Sequence, residues 1–185
     1  MNPFAWIHAE WRVRVWIFAA VGAILLMVGM QLLSGALVTD AAPAGIVSYE
    51  FAGSLPAARA ILDSWNADAR VHAGLSLGLD YLFLVLYALA IGLGCTLVAG
   101  ALEQRAPFLA RVGLLLGWGL LVAALLDALE NYALIRMLLG SDGAAWPAVA
   151  SAAAGPKFAL VALGLVYVLG GGIASAFLRR QGDVH

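Results

Sequence analysis

Residues 112–139 read VGLLLGWGLLVAALLDALENYALIRMLL. A helix needs about 20 apolar residues to cross the roughly 30 Å hydrocarbon core of a bilayer. The run 112–126 carries no charge at all, and the apolar character resumes between the polar residues that follow. Those polar residues are ordered. Asp127, Glu130 and Asn131 stand at i, i+3 and i+4, which places them on one face of a helix. Arg136 falls on the opposite side, where its long stem can carry the guanidinium to a headgroup. The stretch reads as a membrane helix with one polar face near its end.

Three further stretches have the same length and character: 15–38, 73–99 and 156–178. The whole composition agrees. Hydrophobic residues make up 64% and charged residues 11%, against about 45–50% and about 25% in soluble domains. No soluble fold of this size hides that much apolar surface, whereas lipid accepts it. The expected fold class is all-α: a four-transmembrane-helix bundle forming a single membrane domain over 1–185. The first stretch is longer than the apolar run of a signal peptide, about 7–15 residues, and reads as a retained helix. Small residues four apart, such as Gly113 and Gly117 or Ala88 and Gly92, allow close helix approach. A net charge of −1 offers no field for nucleic acid, so none is expected as a partner. The one cysteine, Cys95, lies in an apolar run and reads as a small buried side chain.

Positive charge sets the expected orientation. Arg12 and Arg14 precede the first helix, Arg105 and Arg111 flank the second loop, and Arg179 and Arg180 end the chain. The third loop, 140–155, has none. Both termini are therefore expected to be cytoplasmic, with the protein integral to the cytoplasmic (inner) membrane; the arginine-rich, alanine-rich composition agrees with a prokaryotic one. The first loop, 39–72, then lies outside. Within it, Ser54-Leu55-Pro56 has a cap residue followed by a proline in the first turn. Leu55, Ala58, Leu62 and Trp65 recur at helical spacing. This predicts a short amphipathic helix over 54–70, in the first extracytoplasmic loop.

With that orientation, ionisable residues from separate parts of the chain fall in one layer. Asp80 lies roughly 10 Å into the second helix, and Asp127, Glu130 and Asn131 lie about 5 to 15 Å from the outer end of the third. Lys157 opens the fourth helix. Glu50 and His72 belong to the outer loop or its junction, and the inner two thirds carry no charge. An ionised side chain at the centre of a membrane helix costs about 2.5–3.5 kcal/mol on insertion scales. Such groups are retained for pairing, for a ligand, or close to an interface. Lys157 is the single lysine among ten Lys and Arg residues. It reads as a partner of Asp127 or Glu130, as a ligand contact, or as a lysine snorkelling to the headgroups. Carboxylates outnumber the cation, which favours a site for a proton, a metal or a cation. The candidate ligand- or ion-binding residues are Asp80, Asp127, Glu130, Asn131, Lys157 and Glu50, with His72, Tyr87 and Tyr81 secondary. Tyr87 shares a helical face with Asp80. No His or Cys spacing points to a metal site, and no motif names a cofactor or a catalytic residue.

The segments FAGSLPAARAILDSW (51–65), LGLDYLF (77–83) and LLDALENYAL (125–134) resemble uncharacterised four-helix prokaryotic membrane proteins. The resemblance spans about 46–139. It implies the fold and no chemistry. Three functions remain in view: a binding or transport protein for an ion, a polar small molecule or a lipid headgroup; a membrane enzyme with Asp127 and Glu130 as acid and base; and an accessory subunit. Membrane lipid is the expected partner, and transport with so few helices implies a homo-oligomer.

Overall fold

A computed structural model describes the backbone from Met1 to Gly182. His185, and the side chains from residue 176 onward, Arg179 and Arg180 among them, lie outside the described set. The chain is all-helical. Its elements are α1 (Ala9–Ser34), extended by a 3-10 turn at Gly35–Leu37, α2 (Ile46–Glu50), α3 (Leu55–Ser64), α4 (Ala67–Leu102), α5 (Pro107–Leu138) and α6 (Ala145–Gly182). Four helices are long and apolar enough to cross a membrane. The most apolar window of α4 is 56% buried, that of α5 28%, and those of the first and last helices only 6% each. Most of the apolar surface of α1 and α6 is thus left uncovered by protein.

Each long helix begins before its predicted span. The fourth begins at Ala145, well before Pro156. Residues 148–154, AVASAAA, are strong helix formers with little hydropathy. Apolar run length therefore marked only the membrane-crossing part. Pro156 sits inside the helix. It has no N–H to give the carbonyl of Ala152, a loss neighbouring helices can tolerate in a membrane.

The predicted helix over 54–70 is in fact two. Ser54 caps α3 as expected, its hydroxyl accepting from the Ala57 N–H at 3.4 Å. The helix then stops at Trp65, whose backbone is extended. Asn66 starts a new helix by accepting from the Ala69 N–H at 2.8 Å, so residues from 67 onward belong to α4. Spacing across Trp65 concealed the break. Asn66, a preferred cap residue, was the signal for it.

The chain divides into two compact units. One comprises Met1–Val21, Leu86–Ala123 and the chain from Phe158. Here the N-terminal turns place Phe4 and Ile7 against Leu93. Gly92 makes room for Phe4, since a Cβ there would lie 2.9 Å from its ring. The Cys95 thiol is buried, with Sγ 3.7 Å from the Gly164 carbonyl oxygen. The other unit is Gly22–Val85 with Ala124–Lys157. Its core joins Leu37, Tyr49, Ala58, Ile61, Trp65, Leu77, Leu134 and Ala150. The inner face of α3, Ala58 and Ile61, thus packs on protein.

Candidate functional site: a lysine ringed by carboxylates

In the unit of Gly22–Val85 and Ala124–Lys157, two aromatic side chains fasten the segment 39–66 to the long helices. The Trp65 indole donates to the Leu37 carbonyl at 2.9 Å, and the Tyr49 hydroxyl donates to the Leu134 carbonyl at 3.1 Å. Their rings meet edge to face at 5.3 Å. Both bonds are buried, so each replaces a hydrogen bond that water cannot supply there. Gly45 lets the chain turn into α2 with φ +58° and ψ −126°, a region other residues rarely enter. These restraints point Glu50, the last residue of α2, inward.

Lys157 lies at the centre of what Glu50 meets. Its Nζ is 3.1 Å from Asp127 Oδ1 and 2.9 Å from Glu130 Oε2. It donates to Glu130 Oε1 at 2.9 Å and stands 4.0 Å from Glu50 Oε2. Lys157 is only 6% exposed, and Glu130 is fully buried. The lysine does not snorkel. It projects into the protein, where two carboxylates one turn apart on α5 accept charge-assisted hydrogen bonds from its ammonium.

Around this core lies a second tier. The Asn131 amide donates to Asp80 Oδ2 at 2.5 Å. Asp80 stands near enough to Asp127, and Glu50 to Glu130, for the carboxyls of each pair to act on each other electrostatically. Glu50 Oε2 and Glu130 Oε2 are buried without a hydrogen-bond partner; for Glu130 Oε2 the ammonium at 2.9 Å is close but off the donor geometry. Burial pushes the Glu50 carboxyl up to about 8; Lys157 pulls it down, and Glu130, Asp80 and Asp127 push it further up.

The structure therefore brings together Glu50, Asp80, Asp127, Glu130, Asn131 and Lys157. Of the three secondary residues, Tyr81 lies near enough to Asp80 and Asp127 to feel their charge. His72 Nδ1 is 2.7 Å from the Asp68 carbonyl oxygen, in an exposed position. Tyr81 is exposed and its hydroxyl donates to the Ala128 carbonyl at 3.2 Å. Tyr87 is buried, in the other compact unit from Asp80. Spacing alone missed the fasteners Tyr49 and Trp65. Tyr49 was visible only as the neighbour of Glu50.

A separate recess of about 160 Å³ opens elsewhere in the same unit. Leu62, Met137 and Leu138 form its apolar wall, and Arg59, Asp63 and Asp142 contribute charge. Arg59 pairs with Asp142 at 2.6 Å, with both side chains more than half exposed.

None of the protein-family models, curated proteins or solved structures compared with this chain matches it.

Proposed function

We propose that this integral membrane protein uses its buried acidic cluster as a binding site for an ion or small polar ligand, beneath the headgroups on the extracytoplasmic side. The segment 39–66 is its cover. One observation carries the reading: Glu50, from outside the long helices, is drawn to the same ammonium that Asp127 and Glu130 already hold. A cluster that served only as glue would match its charges, because each unmatched buried ion costs several kcal/mol, on the order of the whole pairing energy. Here four carboxyls face one lysine. Helical rise supports a shared depth. Asp127, Lys157 and Asp80 lie about 16, 18 and 20 Å from the ends of their helices nearest α2 and α3. The arginines of the N-terminal segment and second loop support cytoplasmic termini and an inner-membrane location.

The enzymatic alternative has less support. Asp127 and Glu130 both bond the Lys157 ammonium, so neither is a free acid or base. If the site serves transport, four helices per chain call for a homo-oligomer.

A second reading concerns membrane lipid. The recess beside Arg59 sets guanidinium and carboxylate over an apolar wall, a pattern complementary to a zwitterionic headgroup. Exposed ion pairs are weak, about 0–1 kcal/mol, and exchange partners readily.

The test is a thermal-unfolding series in lipid nanodiscs. Alkali and alkaline-earth chlorides and small ammonium compounds are titrated between about pH 5 and about pH 8. At least one probe, or the change of pH itself, should shift the unfolding temperature, and Asp80→Asn or Glu130→Gln should weaken or abolish that response. No response to any probe or to pH leaves the cluster as structural glue and defeats the proposal.

A further inference from the structure

We infer that the ion this cluster takes is the proton, held between Glu50 and Glu130 and exchanged with water from the Glu50 side. The inference rests on the binding-site reading above and names its ligand.

An ionised carboxylate only accepts hydrogen bonds. Two carboxyls in hydrogen-bonding contact therefore need a proton between them. Glu50 Oε2 and Glu130 Oε2 both converge on the Lys157 ammonium, at 4.0 and 2.9 Å, and Asp80 and Asp127 form a second pair that act on each other electrostatically. A proton carried by the first pair supplies the donor that the buried Oε2 atoms of Glu50 and Glu130 lack. One proton on each pair leaves two negative charges against one positive charge, a far smaller burden than four against one.

The position that a metal cation would take is filled. Lys157 Nζ stands at the convergence of Asp127, Glu130 and Glu50. Among the described residues, no group of three or more His, Cys, Asp or Glu side chains is arranged to hold a metal ion. Exchange of protons needs no displacement of the ammonium.

The charged groups facing the pair come from every neighbouring element. They are Asp80 from α4, Asp127 and Glu130 from α5, and Lys157 from α6. Arg70 is turned away, its guanidinium donating to the Leu62 and Trp65 carbonyls. Burial then gives the direction of exchange. The Glu50 side chain is 12% exposed and that of Glu130 is 0%. Glu50 receives the proton from water. The O–H bond of Glu50 breaks as that of Glu130 forms, and the negative charge moves outward by one carboxyl. No electron is transferred.

Infrared difference spectroscopy of the full chain in nanodiscs tests this directly, because a protonated carboxyl has a C=O stretch distinct from a carboxylate. Between about pH 5 and about pH 9, the wild type should lose one such band, with a midpoint close to the value of about 8 to which Glu50 is pushed. Glu50→Gln should remove that transition or move its midpoint by at least about one pH unit. Glu103→Gln, exposed between α4 and α5 and outside the cluster, should leave it in place. An unchanged midpoint in Glu50→Gln overturns the assignment. Loss of the band on adding KCl or CaCl2 at fixed pH preserves a binding site but makes a metal cation its ligand. A wild-type spectrum constant across the range overturns both the proton and the site. The wild-type titration and Glu50→Gln suffice if Glu130→Gln does not fold.

Discussion

Lys157 governs the residue scale. Removing one partner of a buried ion pair leaves the others uncompensated and costs about 3–5 kcal/mol. Lys157→Met strands Asp127 and Glu130, so it should lower stability by about that amount, read as the unfolding temperature in nanodiscs. Adding Glu130→Gln should recover part of the loss, because the two sites couple through direct contact; a strictly additive double variant contradicts the pairing. Glu50 gives a pH signature. Its carboxyl ordinarily titrates at 4.5 and is pushed up to about 8 by burial. Between those values the folded state binds more protons than the unfolded one, so stability falls as pH rises. The stability is fully present below about 4.5, is lost progressively up to about 8, and changes no further through this group above that. Glu50→Gln should flatten this window, removing a slope of at most about tenfold in the unfolding constant per pH unit. Denaturation midpoints measured across the window check the sign, and a steeper slope in the variant contradicts it.

At the scale of elements, the cluster depends on how α2 is entered. Gly45 has φ +58°, and a Cβ there would meet only ordinary contacts, the nearest being Leu37 Cβ at 3.5 Å. The cost of Gly45→Ala is therefore conformational, about 1–3 kcal/mol for a backbone region that alanine avoids. It should also loosen Glu50 and move the pH response toward that of Glu50→Gln, whereas Gly29→Ala in the open face of α1 should do neither. Protease susceptibility of 39–66, with the pH slope, measures both effects. The same segment marks where sequence ceased to be informative. Long apolar runs located four helices, because lipid tolerates little else. The i, i+3, i+4 spacing of Asp127, Glu130 and Asn131 put them on one face. It could not say that Tyr49 and Trp65 would reach the Leu134 and Leu37 carbonyls, since those partners are distant backbone atoms with no side-chain signature. Nor could it separate a snorkelling lysine from a buried one at a helix start. That depended on α6 beginning at Ala145 rather than at Pro156, which carries Lys157 to about 18 Å from the helix end.

For the whole molecule, the proposed site has a function only if its cover faces the compartment that supplies the ion. Helices α4, α5 and α6, of 36, 32 and 38 residues, are about 48–57 Å long at the α-helical rise. A bilayer core of roughly 30 Å leaves about 10 Å or more of overhang at each end. A cluster about 16–20 Å from the helix ends then lies only about 6–10 Å inside the hydrocarbon, near enough for water to reach Glu50 and deep enough for burial to act. In the proposed orientation, which the arginine pattern supports, that end is extracytoplasmic. Cysteine labelling in intact cells decides it. With Cys95 replaced by Ala, Ser141→Cys between α5 and α6 should react with a membrane-impermeant maleimide added outside. Glu103→Cys, between α4 and α5, should react only after the membrane is opened. The reverse pattern would place the Glu50 entrance in the cytoplasm, and the cluster would then sense cytoplasmic rather than external protons. Labelling of both from one side would mean that the long helices do not cross the bilayer as separate spans.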